Sequence, residues 1–113
     1  MHAQSVESDQ PSIEDRAAAY HAFIVGRSQE GAGDIDGAVA SYVRAAELDP
    51  TASDIWTELA GLYARRSDTE PAIEAATAAL EREPDNPEAH RILGLVYAAR
   101  AGARGGGDEA DLD

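Results

Sequence analysis

An all-α architecture of tandem antiparallel helix-turn-helix units, an α-solenoid, is predicted by three observations. The first is an internal period: a shift of 34 residues places Ala38 on Ala72, Ala45 on Ala79, Pro50 on Pro84, Leu59 on Leu93 and Tyr63 on Tyr97, and Gly26, Ala60 and Gly94 form a further column. The second is helical spacing. Trp56, Leu59, Ala60 and Tyr63 fall at i, i+3, i+4 and i+7, and Ala72, Ala76 and Ala79 at i, i+4 and i+7. The third is composition: abundant Ala with only 5% aromatic residues suits closely packed helices better than a β-sandwich.

The elements follow in order. Residues 1–11 are expected to be disordered, and 12–101 to form the helical domain. Ser12 with Asp15 three residues on resembles a capping box for a first helix reaching Gln29, weakened because Asp replaces Glu or Gln. "GDIDG" reads as a turn with an N-terminal cap for a second helix that ends before Pro50. Asp54 or Ser53 can cap a third helix running to about Arg66; "SDTE" makes the turn, and Pro71 opens a fourth helix that ends before Pro84. Facing stripes let the Ala-lined helix approach closely, with the Trp56 and Tyr63 rings in the wedge between, so that a buried Trp56 replaced by Ala would cost roughly 3–5 kcal/mol. The fifth helix, 87–101, acts as the cap. It is apolar on more than one side: Ile92, Leu93, Leu95, Val96 and Tyr97 cannot all face one neighbour. Residues 102–113, "GARGGGDEADLD", read as a flexible, glycine-rich acidic tail.

These columns resemble the tetratricopeptide repeat, whose signature is Trp, Leu, a small residue and Tyr on one helix, then Ala, an aromatic, Ala and Pro on the next. Residues 53–86 match at Trp56, Leu59, Ala60, Tyr63, Ala72, Ala79 and Pro84, with Ala76 in the aromatic place. Residues 19–52 match at Gly26, Ala38, Tyr42, Ala45 and Pro50, but hold Ala22 and Gln29 where Trp and Tyr are expected. A third unit starts at Pro87, carries Leu93, Gly94 and Tyr97 with His90 in the Trp column, then stops. The resemblance covers about residues 17–100 and implies two full repeats plus a capping helix, with a concave face that holds an extended peptide or protein partner.

By that resemblance the groove positions hold Tyr20, Phe23 and Arg27 in the first unit, Asp54, Thr57, Glu58 and Arg65 in the second, and Glu88, Arg91 and Leu95 in the third. Arg27, Arg65 and Arg91 would put positive charge into the groove of an acidic protein. They are expected to hold a carboxylate or acidic residue of the partner, with an apolar side chain against Phe23 or Tyr20. The alternative is that these arginines pair with neighbouring acids on a solvated face. Family members that clamp a chaperone's terminal carboxylate use Lys, Asn and Arg at set places; here those places hold Phe23, Arg27, Glu58, Glu88 and Ile92, which argues against that role. A second account is a self-assembling scaffold, monomer to homo-oligomer, through Leu95 and Val96 of the apolar last helix. The third is an unrecognised hydrolase or metal protein.

The chain has 113 residues, one domain's length, with 43% apolar residues. Its net charge of −13 argues against a nucleic acid or an anionic membrane as partner, because either would need a basic patch. All nine basic residues are Arg, against 22 acids, which reflects either a G- and C-rich genome or adaptation to high salt. There is no Cys, so thiolate chemistry and disulfides are excluded. No apolar run suits a membrane span or a signal peptide, and a cytoplasmic location is expected. A calcium loop aligned on Gly37 would have Ala32 and Val43 at its first and twelfth places, where oxygen ligands are needed. His2, His21 and His90 are too scattered for metal spacing, and the glycines at 105–107 lack the strand and helix of a phosphate loop. No catalytic, cofactor-binding or metal-ligating residue is therefore assigned.

Overall fold

A computed structural model describes residues 10–112, with side chains described as far as Ala103. The described residues form five helices and no strand: α1 (Ile13–Gly31), α2 (Ile35–Leu48), α3 (Ser53–Arg65), α4 (Thr69–Arg82) and α5 (Pro87–Leu112). α1 packs on α2 and α3 on α4 as hairpins; α2 meets α3, and α5 lies against both α3 and α4. The expected N-terminal segment lies outside the described residues up to residue 9.

Local chemistry sets the boundaries. Ser12 Oγ accepts from Asp15 N at 2.9 Å at the start of α1, and Asp34 Oδ1 accepts from Gly37 N at 2.9 Å at the start of α2. The Asp34 carboxylate in "GDIDG" is thus occupied as a helix cap. The turn after each first helix passes through a left-handed residue at the same point of the period, Gly33 (φ 85°) and Ser67 (φ 63°). Gly adopts that conformation without steric cost, whereas Ser67 is strained. Three boundaries differ from expectation. Ala52 precedes α3 without a side-chain cap bond, so Ser53 already belongs to the helix. Pro71 sits in the first turn of α4, which opens at Thr69; a missing N–H costs nothing there. The last helix runs to Leu112 instead of about 101, so the backbone of the expected tail is helical as far as that residue. Helical hydrogen bonds are local, Ala98, Ala99, Ala101 and Ala103 favour them, and each Gly beyond opposes them by only about 1 kcal/mol.

Small residues make the hairpins close. Ala38, Tyr42 and Ala45 on α2, and Ala72, Ala76 and Ala79 on α4, have no solvent exposure. Gly26 faces the Tyr42 ring so closely that a Cβ there would lie 2.5 Å from Tyr42 Cε1. Leu59 and Ala60 are buried as the stripe predicts, but Trp56 and Tyr63 are only partly buried, since both line an open groove of about 400 Å³ beside α2 and α4. Trp56 instead uses its polar edge: Nε1 donates to Pro50 O at 2.9 Å, and the Arg82 guanidinium lies 5.3 Å over the ring. One period later His90 repeats the arrangement, with Nε2 2.8 Å from Pro84 O. A carbonyl oxygen only accepts, so Nε2 carries the proton in that bond.

Candidate functional site

An open cleft of about 960 Å³ lies between α3 and α5. Glu58, Gly61, Leu62 and Arg65 recur at i, i+3, i+4 and i+7 on one face of α3, while α5 contributes Arg91, Ile92, Leu95, Val96 and Ala99. Glu30 enters from α1 beside Arg65, and Glu70 and Arg100 enter from α4 and α5. Gly61 leaves a depression in the α3 wall: a Cβ there would meet only Ile92 Cδ1, at 3.8 Å. Asn86, buried at the root of α5, caps that helix through Ala89 N at 3.0 Å and donates to Thr57 Oγ1 at 2.8 Å, tying the two walls together.

The arginines lining this cleft are all spoken for. Arg65 Nη1 lies 3.1 Å from Glu30 Oε2. Arg91 holds Glu88 with two bonds, Nε to Oε1 at 2.9 Å and Nη2 to Oε2 at 2.5 Å. Arg100 pairs with Glu70 across from α5. The Arg91 bond holds the Glu88 carboxyl below its usual range, although slight desolvation works against it. Glu58 differs. It is partly buried and makes no hydrogen bond or ion pair among the described residues. Burial pushes its carboxyl up, and the negative charge of Glu30 pushes in the same direction.

A protein-family model, the tetratricopeptide repeat, matches residues 31–96, more than half of the chain and most of the cleft lining. The chain belongs to the tetratricopeptide repeat family. No curated protein sequence matches it. Two crystal structures of MamA are similar at 23% identity, with TM-scores of 0.71 and 0.72; each match covers 74% of this chain and 46% or 49% of the MamA chain. This repeat protein therefore spans about half the length of those chains. The tetratricopeptide repeat domain of Arabidopsis OM64 superposes with a TM-score of 0.75 at 16% identity, over 80% of this chain and 74% of that one. At such identities the likeness establishes the fold alone, an all-α helical repeat. No helix among the described residues is long and apolar enough to cross a membrane.

Within this repeat fold the expected groove residues divide. Thr57, Arg65 and Arg91 line the cleft with Glu58, Glu88 and Leu95. Thr57 is engaged internally, donating to Ser53 O at 2.8 Å and accepting from Asn86. Tyr20, Phe23 and Arg27 on α1 lie outside the cleft. Tyr20 is 66% exposed, while Phe23 packs against Tyr42 with ring centroids 5.4 Å apart and carries the Arg27 guanidinium 5.8 Å over its face. Of the two residues considered for self-association, Leu95 is 55% exposed but Val96 belongs to the core, because Ala89, Ile92 and Val96 form the buried stripe of α5. Tyr97 is the residue beside it that reaches solvent. Sequence reasoning missed Glu30, Gly61, Glu70 and Arg100. The repeat pattern assigns places on the first helix of each unit, whereas these four enter from a helix end, a missing side chain and the next unit.

Proposed function

We propose that this chain is a non-enzymatic binding module that holds an extended segment of a protein partner in the concave cleft between α3 and α5, with Arg65, Arg91 and Leu95 at its walls. The observation that carries the reading is the open, mixed apolar and charged cleft between α3 and α5 of a tetratricopeptide repeat fold. Its test uses Gly61→Leu. The new Cβ would have ordinary clearance, 3.8 Å from Ile92 Cδ1, the atoms beyond it are aimed into the open cleft, and leucine favours the helix, so the melting temperature should hold. Peptides selected from a random library on the wild-type chain should bind this variant about tenfold more weakly or worse. Unchanged affinity would place the binding surface elsewhere.

A second reading is self-association through α5, favoured by one observation. The small-residue column is covered by the second helix at Gly26 and Ala60, but at Gly94 nothing lies within 4 Å of a built Cβ, and neighbouring Tyr97 is 48% exposed. Light scattering over a range of concentrations decides it. Self-association would appear as a mass that rises with concentration and falls to the monomer in Tyr97→Glu; a monomer throughout ends this reading.

A further inference from the structure

We infer that the segment held in the cleft brings a cationic side chain, Lys or Arg, to Glu58 and an aliphatic side chain to Leu95 on the α5 wall. This rests on the concave-cleft reading and reverses the charge expected of the ligand from the sequence. Each arginine at the cleft already has its own glutamate: Arg65 has Glu30, Arg91 has Glu88 and Arg100 has Glu70. A ligand carboxylate would have to displace one of those partners and leave it unpaired. Glu58 is the remaining charged side chain of the lining, and it stands beside the depression at Gly61, one turn along α3.

The surroundings of Glu58 favour a cation. The charges that act on it are Glu30 and Arg27 from α1, Asp54 on α3 and Glu88 from α5, three acids against one base. A partly buried carboxylate among like charges is a cost to the free protein, and a bound ammonium or guanidinium would offset that cost. The raised proton affinity of Glu58 reports the same condition. The sign is that its contribution to stability is complete below the ordinary glutamate range and is lost as pH rises through its elevated value, so removing the charge favours the fold at neutral pH.

The segments that flank the helical domain in this sequence are poor sources of the cation. Residues 1–9 contain no Lys or Arg, and the other end sets Arg104 against Asp108, Glu109, Asp111 and Asp113. A second copy carries the same net charge of −13 and so brings no excess of cationic side chains. A separate, basic partner segment is the occupant whose charge complements the cleft.

The experiment titrates two labelled decapeptides of alternating residues, Leu with Lys and Leu with Glu, into the full chain at physiological salt and follows fluorescence anisotropy. The Lys peptide should bind the wild type and the Glu peptide should not. Glu58→Gln should weaken the Lys peptide about tenfold while melting no lower than the wild type. Glu74→Gln, which removes the same charge from an exposed position on α4 outside the cleft, should bind as the wild type does and so excludes general attraction to an acidic surface. Tighter binding of the Glu peptide, or equal binding of the Lys peptide by Glu58→Gln, would overturn the charge assignment and leave the cleft as the seat. Lys-peptide binding that survives Gly61→Leu would overturn the cleft itself.

Discussion

Tyr42→Ala should lower the unfolding free energy by about 3–5 kcal/mol, the largest effect expected of any single truncation in this chain. The ring has no solvent exposure, covers Gly26, stacks at a tilt on Phe23 and donates its hydroxyl proton to Glu30 Oε1 at 3.0 Å. Truncation therefore opens a cavity at the α1–α2 contact and also strips Glu30, the partner of Arg65, of one of its bonds. Urea denaturation checks it, read as a midpoint shift at constant slope. Tyr42→Phe separates the two losses: it keeps the ring and should cost only about 1 kcal/mol. The phenol itself adds a pH signature. Burial, helped by the bond to Glu30, raises its proton affinity above the usual phenol value. Its contribution to stability is complete below about pH 10 and is lost as pH rises beyond, a decline that Tyr42→Phe should make shallower.

Leu62→Ala comes second, at about 2–5 kcal/mol. Leu62 is 1% exposed and belongs to the core at the base of the cleft, which it helps to line. Trp56→Ala, on sequence grounds the more damaging change, should cost about 2 kcal/mol, because the indole is only partly buried and gives up one hydrogen bond with part of its apolar area. The two variants measured in the same denaturant series provide the check. A larger loss from Trp56→Ala than from Leu62→Ala would show that the wedge between α3 and α4, and not the base of the cleft, limits stability.

That reversal shows what a sequence can convey here. The fold was legible because it is written twice: columns at Ala38 and Ala72, Ala45 and Ala79, Pro50 and Pro84 agree in type and spacing, and helical periodicity turns spacing into a packing face. That Thr57, Arg65 and Arg91 would share one cleft was legible for the same reason. The depth of Trp56 was not, since burial depends on how far α2 and α4 extend over it. The state of the arginines was not legible either. Arg65 finds Glu30 at a separation of 35 residues and Arg100 finds Glu70 at 30, close to the period but set by side-chain reach across different helices. Counting charges along the chain suggested a positive groove; pairing them in space leaves a carboxylate. Ser67 shows a third limit, for nothing in its type announces the left-handed turn that the period imposes on it.

The ring nitrogens that bond to Pro50 and Pro84 have a practical consequence. Each joins the start of one helical pair to the exit of the preceding pair, so the molecule carries a native reporter at each of its two internal junctions. Indole emission from the single tryptophan follows the first, and the imidazole resonances of His90 follow the second. Stacked arrays hold together through nearest-neighbour contacts, so their ends can fray before their middle. Melting curves from the two rings, overlaid, would tell whether this short array comes apart all at once or unzips from the α5 end.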